Sequence, residues 1–379
     1  MRLRVATFNV ENLVSRNRYG ARDRPDTAPA LSLFDFPQGE ARENAERSVA
    51  VALEDDKRQM TALAIAETRA DILALQEVDN LGVLAPFFAN YVHTCSDIRY
   101  GHQRLVEGND RRGIDVAFAA RRDLVPDEKA VKVRSHHEAT FGELDLLNDD
   151  LREFGIGPDD RVFNRNCLEV TLTWPDRDLT VFVCHMKSMD HWRPEGRSFT
   201  NKIRAAEARA VRRIVEQKFG AGWRDASWIV AGDFNDFRAR ILAGGGVEPA
   251  LPSGIDPLFQ DFAVDPVAQL PPLERWTYFH RGRDDREGDA AGQHVQLDYL
   301  LLSPALAKTN PSPPIEIIRR GLPYRAPLDP AAPDRSIGYL ATRADRYPRV
   351  GWDRPKASDH CPVVVEIEVP VRGAVGSRQ

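Results

Sequence analysis

Cysteine is scarce in this chain: four in 379 residues, Cys95, Cys167, Cys184 and Cys361, with no two spaced as CxxC. Three of them sit inside apolar strand-like runs, where a thiol packs as a small hydrophobe. That pattern speaks against a disulfide scaffold and against a thiolate zinc site. Long apolar runs are missing too. Nothing approaches the roughly 18–20 residues a membrane helix needs, so no membrane partner is expected. There is no surplus of positive charge either. Lys and Arg number 52 against 57 Asp and Glu, a net charge of −5, which argues against a protein whose whole surface grips nucleic acid. A phosphodiester substrate stays open, because a bound divalent cation and a local arginine cluster supply a positive field. No internal repeat is visible, and nothing points to an obligate protein partner. The opening "MRLRVATFNV" lacks a charged-then-apolar leader and enters a strand pattern at once. A cytoplasmic chain is the expectation, with secretion after removal of a leader as the alternative.

What is present is a series of short runs rich in Val, Leu, Ile and Phe: residues 2–10, 71–78, 113–120, 166–174, 179–186, 228–234, 297–303 and 361–369. Turn residues bound most of them, as expected of strands. Two helices are readable. Residues 57–70 carry apolar Met60, Leu63 and Ala64. Residues 200–220 place Ile203, Ala206, Ala210, Val211, Ile214, Val215 and Phe219 on one face, with Thr200 as a start signal and Gly220 as a stop. Strands that outnumber helices, with helices between some of them, predict two packed sheets flanked by helices. Residues 15–56, 238–290 and 304–356 read as surface insertions, and "RGRDDREGD" (281–289) as a solvated charge run. None looks like a linker, so one domain spanning 1–379 is expected.

The polar residues fall in a pattern. Asn9 and Glu11 end the first run, Gln76 and Glu77 the second, and His185 closes "VFVCH". Asp233 and Asn235 follow "IVAG". Asp298 begins "DYLLLS", and Asp359 and His360 stand just before "CPVVVEIEV". A single Asp after a strand is usually a turn residue, and a lone His is more often a hydrogen-bonded core residue. Five or six strands each ending this way are hard to explain as independent turns. Strand ends of one sandwich can cluster at one rim. A rim of Asp, Glu, Asn and His suits a hard cation: Mg²⁺ first, Mn²⁺ or Ca²⁺ as alternatives.

The segments "TFNVENL", "DILALQEV", "RRGIDVAF", "FNRNCLEV", "VFVCHMKS", "VAGDFND", "LDYLLLS" and "ASDHCPVVVEI" together resemble the endonuclease/exonuclease/phosphatase superfamily, the DNase I-like metal-dependent phosphodiesterases. They occur in that family's order and span about residues 5–369. The resemblance implies an α/β fold, a four-layer α/β/β/α sandwich of two mostly antiparallel sheets with the active site at one edge. It implies Glu77 as the main metal ligand, Asp359 as a further ligand and Glu11 beside the metal, with Asn9 bordering the scissile phosphate. Asp233 matches the residue that orients or deprotonates the attacking water, and Asn235 would hold that water or a phosphate oxygen. His360 matches a phosphate-contacting histidine with Asp298 as its carboxylate partner. His185 would stabilise the pentacovalent oxygens or assist the leaving group. Arg165 matches a phosphate-contact arginine, and Arg112 is a weaker second.

Asp115 interrupts an apolar strand; it either pairs with His185 or faces solvent. Trp276, Thr277 and Tyr278 either wall the cleft, where an aromatic can stack on a base, or pack in the core. Cys184 and Cys361 adjoin the two histidines, and strand alternation turns them to the opposite face. The motifs specify phosphate-ester cleavage and not what carries the phosphate. A nuclease acting on DNA or RNA is the first expectation, with the basic residues at 111–112, 121–122, 193, 197, 202 and 204 as a possible grip. Hydrolysis of a small or lipid-borne ester comes second, and an inactive binding module third.

Overall fold

Period-two alternation along the strands sets the architecture. The computed structural model describes residues 1–14, 39–125, 127–189, 196–280, 292–331 and 345–372. Its strands are β1 (Arg2–Leu13), β2 (Ile72–Val78), β3 (Tyr100–Leu105), β4 (Asp115–Arg121), β5 (Val131–Ser135), β6 (Cys167–Thr173), β7 (Asp178–His185), β8 (Trp228–Asp233), β9 (Ala239–Leu242), β10 (Val247–Pro249), β11 (Tyr278–His280), β12 (Gln293–Val295), β13 (Asp298–Leu302), β14 (Ile315–Ile317) and β15 (Val363–Glu368). Six form one sheet in the order β14-β15-β1-β2-β4-β3, and five a second in the order β13-β8-β7-β6-β5. Each large sheet holds one parallel pair, β1 with β2 and β7 with β8, and is otherwise antiparallel.

The two sheets stack face to face. Leu3, Val5, Ile72 and Ala74 of the first share a core with Val181, Val183, Ile229, Ala231, Leu300 and Leu302 of the second. Alternate residues point outward. Ala6, Phe8, Leu73 and Leu75 meet Met60, Ala62, Ala64 and Ile65 of the helix Glu40–Thr68. Phe182, Cys184 and Val230 meet Ile203, Ala206, Ala210, Val211 and Ile214 of the helix Arg197–Phe219. The result is the expected four-layer α/β/β/α sandwich. Both outer helices cover an apolar sheet face that water would otherwise wet, the usual origin of such layering. Among the described residues, no helix is long and apolar enough to cross a membrane.

Several local expectations change. The first helix begins at Glu40, not 57, so residues 40–56 are not an irregular insertion. Their first turns carry no apolar stripe and are supported instead by exposed pairs, Arg42 with Glu46 and Arg47 with Glu43. Such i,i+4 pairs favour a helix that periodicity cannot detect. The second helix starts at Arg197, after Gly196. Thr200 lies inside it and donates to the Met189 carbonyl at 3.3 Å, while Gly220 ends it with φ 57°. The stretch 238–290 contributes β9, β10 and β11 to a small third sheet, ordered β10-β9-β12-β11, that was not foreseen. The stretch 304–356 supplies the short helix Pro304–Thr309 and β14. The charge run 281–289 lies outside the described residues.

Gly232 explains why "VAGD" carries a glycine. Its φ is +150°, and a Cβ there would stand 1.8 Å from the Cys184 carbonyl oxygen on the neighbouring parallel strand. No side-chain rearrangement relieves a clash with backbone. Gly232→Ala should therefore destabilise the fold by more than about 3 kcal/mol, read as a lowered urea midpoint; a midpoint equal to wild type would contradict this account of β8.

Candidate active site

Inward-facing positions run out of apolar residues at one end of both sheets, and polar side chains take over. Along β1 the inward series Leu3, Val5 continues to Thr7 and Asn9. Along β7 it ends at His185, along β8 at Asp233, and β13 begins with Asp298. Register places these ends together. His185 pairs with Asp233 across the parallel β7–β8 ladder, and Asp298 pairs with Asp233 across β8–β13.

Asp233 is the centre of the cluster. Its Oδ2 accepts from Asn9 Nδ2 at 3.0 Å and from Asn235 Nδ2 at 3.2 Å, and lies 3.4 Å from His185 Nε2 and 3.8 Å from His360 Nε2. Its Oδ1 accepts the Asn235 backbone N–H at 2.8 Å. Burial alone would raise its pKa. The charge of His360, the His185 contact and the Asn235 N–H reverse that and hold it below the usual carboxylate range. Asn235 adopts φ 51° and also donates to the Met186 carbonyl at 3.1 Å, which fixes the turn after β8.

The two histidines differ. His360 Nδ1 faces Asp298 Oδ2 at 2.9 Å and Oδ1 at 3.1 Å. Burial disfavours its charge, but Asp298 and Asp233 on either side hold its pKa well above the ordinary value. Burial pushes Asp298 up to about 6, against the pull of His360. Thr277 clips this strand start by accepting from the backbone N–H groups of Leu297 and Asp298. His185 moves the other way. Burial, with Arg165 nearby, lowers its pKa and keeps it neutral. Asp233, Asp298 and His360 bring ligand atoms within 4.8 Å of one another. His360 thus faces a carboxylate from each ring nitrogen, Asp298 through Nδ1 and Asp233 through Nε2.

A second acidic group adjoins the first. Alternation would turn Glu77 toward the outer helix, because Leu73 and Leu75 face that way. Instead Glu77 takes φ 65° where the β2–β4 register shifts, and its Oε1 lies 3.3 Å from Asn9 Nδ2. Glu11 likewise sits in a left-handed bulge, φ 50°, whose N–H donates to Asn9 Oδ1 at 2.9 Å. Left-handed backbone at non-glycine residues is costly and concentrates at functional sites. Burial and the nearby Asp359 raise the Glu11 pKa. Asp359 itself, half-buried, is held low by Lys356 and His360. Glu11 Oε2 is buried with no protein partner.

The remaining expected residues separate. Arg165 is buried, with Nε on Asp110 at 3.1 Å and Nη1 on the Met186 carbonyl at 2.6 Å. Arg112 is largely exposed and pairs with the same Asp110 at 2.9 Å. Tyr278 sets its ring 4.9 Å from that of His360, tilted by 51°. Trp276 does not wall the site: it is 1% exposed, its ring between His294 and the Arg319 guanidinium. Asp115 neither pairs with His185 nor faces solvent. It follows the outward series of Ala117 and Ala119 and accepts the Gly108 N–H at 2.8 Å. Burial lifts its pKa to about 6. Cys184 and Cys361 are buried in apolar clusters away from the histidines.

A model described as the Endonuclease/Exonuclease/phosphatase family matches residues 6–360. The chain belongs to the endonuclease/exonuclease/phosphatase family. Two solved structures share the fold. One is an endonuclease/exonuclease/phosphatase family protein from Leptotrichia buccalis C-1013-b, 13% identical, with TM-score 0.50 over 97% of this chain and 99% of that one. The other is SmcL, 14% identical, with TM-score 0.51 over 97% and 99%. No curated protein matches the sequence. Family membership places the chain among phosphoric ester hydrolases, which are generally divalent-metal dependent.

Sequence reasoning missed several residues that hold this cluster together. Asp110 joins Arg112 to Arg165, and Lys356 bonds Glu11 at 2.8 Å. Glu207, buried in the helix Arg197–Phe219, accepts the backbone N–H groups of Asn164 and Lys187, which brackets both Arg165 and the turn after His185. Helical spacing had marked only its apolar neighbours.

The linkage of His360 has a definite sign. The folded state binds its proton more tightly than the unfolded chain. The ion pair therefore contributes fully below about pH 6.5 and is lost as pH rises through the raised folded value. In urea series from pH 6 to 10, the stability gap between wild type and His360→Asn should shrink on the alkaline side; a gap that widens with pH would reverse the assigned charge.

Proposed function

We propose that this protein is a divalent-metal-dependent phosphodiesterase whose first substrate class is nucleic acid, with Mg²⁺ as the working ion. The observation that carries the chemistry is the convergence on Asp233 of two amides and two histidines, His360 favoured in its charged form and His185 disfavoured in it, beside the carboxylates Glu11, Glu77 and Asp359. All three carboxylates offer hard oxygen donors, and the buried, unpartnered Glu11 Oε2 fits a hard cation. Glu11, Glu77 and Asp359 would hold the ion, which neutralises charge on the phosphate and polarises it toward attack.

The chain's own groups divide the rest. Asp233, held below the carboxylate range, is a weak base; it orients a water and the two imidazoles more readily than it takes a proton. His360, charged and anchored by Asp298, donates toward the non-bridging oxygens, where negative charge grows during in-line attack. Neutral His185 is the better proton acceptor of the two. Asn9 and Asn235 hold Asp233 in place. Arg165 acts through its charge, since Nε and Nη1 are already engaged.

The polymer grip is weaker than the basic residues suggest. Arg204 is fully buried against Asp236, Arg121 pairs with Asp71 and Asp123, and Lys202 pairs with Asp150. Residue 193 lies outside the described residues. Arg111, Arg112, Arg354 and Lys57 do line a cavity of about 820 Å³ that reaches Glu11 and Lys356. A cavity of that size beside the acidic group favours a second reading, a small phosphate ester enclosed there.

Hydrolysis of bis-p-nitrophenyl phosphate, supercoiled plasmid and total RNA, with Mg²⁺ or EDTA, tests both readings. Nicking or RNA loss that needs Mg²⁺ supports the nuclease. Turnover of the small diester with both polymers untouched supports the second reading. Asp233→Asn, which keeps the shape of the buried side chain, should lower turnover by about 10²–10³ with the thermal melt within a few degrees; retained activity would remove Asp233 from the mechanism.

A further inference from the structure

Lys356 is an unusual neighbour for a cation site. Its side chain is 7% exposed, and its ammonium lies 2.8 Å from Glu11 Oε1 and 4.0 Å from Asp359 Oδ2. The segment that carries it is pinned on three sides. Thr61 Oγ1 donates to the Ala357 carbonyl at 2.6 Å, the Ala357 N–H donates to Gly321 at 2.9 Å, and Ser358 Oγ donates to the Asn9 carbonyl at 2.7 Å. The backbone that carries Lys356 is thereby fixed relative to the strand-end cluster. Lys57, from the helix Glu40–Thr68, reaches the same place and donates to the Glu11 carbonyl.

We propose that Lys356, seconded by Lys57, takes the place of a second divalent ion, so that this acidic group accepts one metal and not two. The inference rests on the functional reading above and deepens it. Two ammonium charges equal the charge of one divalent ion; Lys356 lies against the carboxylates of Glu11 and Asp359, and Lys57 against the Glu11 backbone carbonyl. An ammonium at 2.8 Å occupies one oxygen of Glu11, which leaves Oε2 for the single metal. It also repels a further cation at short range, where little water intervenes to screen it. Lys356 is thus a positioning residue: it orients Glu11 and sets metal stoichiometry without touching the reacting atoms.

The test is titration of the full chain with Mn²⁺ alone, free ion being read by electron paramagnetic resonance. Wild type should bind one ion. Lys356→Met, similar in length and uncharged, should bind two, or bind the first at least ten-fold more tightly. Lys356→Arg should retain one. Lys57→Met, a change on the helix surface, should tighten binding in the same direction and serves if Lys356→Met does not fold. Two ions on wild type, or unchanged stoichiometry and affinity in both methionine variants, would overturn the proposal. Two ions with Mg²⁺-dependent diester hydrolysis intact would do so while leaving the functional reading standing. No Mn²⁺ binding and no hydrolysis by wild type would defeat both.

Discussion

A single buried carboxylate, Asp233, holds the two halves of the sandwich in register at their functional edge. Its Oδ2 takes one amide from the first sheet, Asn9, and one from the turn that follows β8 of the second, Asn235, and sits against His185 and His360. Left alone, a carboxylate buried at a sheet edge would cost several kcal/mol. The cluster is thus an obligatory solution to burial as well as an arrangement for chemistry. Remove one partner and a charge is stranded; keep them all and the strand ends cannot slide.

That constraint divides the site electrostatically. On one side two carboxylates flank an imidazole and favour its charged form. On the other, burial and Arg165 keep a second imidazole neutral. Two titratable groups of the same kind are pushed in opposite directions by their surroundings. The acidic group beside them is balanced from within by Lys356 and Lys57, so the chain carries part of the positive charge that a phosphate ester requires.

Support comes from buried polar residues outside the cluster. Arg204 and Asp236 form a fully buried pair, and Asp236 also accepts the Gly254 N–H at 2.9 Å. Glu207 joins the turn before β6 to the turn after β7. These groups tie loops to the helix Arg197–Phe219. Side chains on short turns thereby acquire the rigidity of a helix packed on a sheet, which catalytic geometry needs.

The sequence by itself determined eight of the eleven strands of the two large sheets, their layering and the strand-end polar residues, because alternation and apolar runs are local and survive in one dimension; the edge strands β3, β5 and β14 carry no such run. It also carried the family, through the order of eight short segments. The first turns of the helix Glu40–Thr68 escaped because surface ion pairs leave no apolar period, and the third sheet escaped because its strands are three or four residues long. Only the tertiary structure decided which polar residues meet. Left-handed backbone turned Glu77 back to the rim against its strand parity, and outward parity carried Asp115 away from His185. Trp276 went to the core, and Arg204 was buried against Asp236. Lys356, marked by no motif, arrived beside Glu11 because a segment more than 300 positions away packs there. Parity is written in the chain; bulges, and the long-range packing that sets protonation, are not.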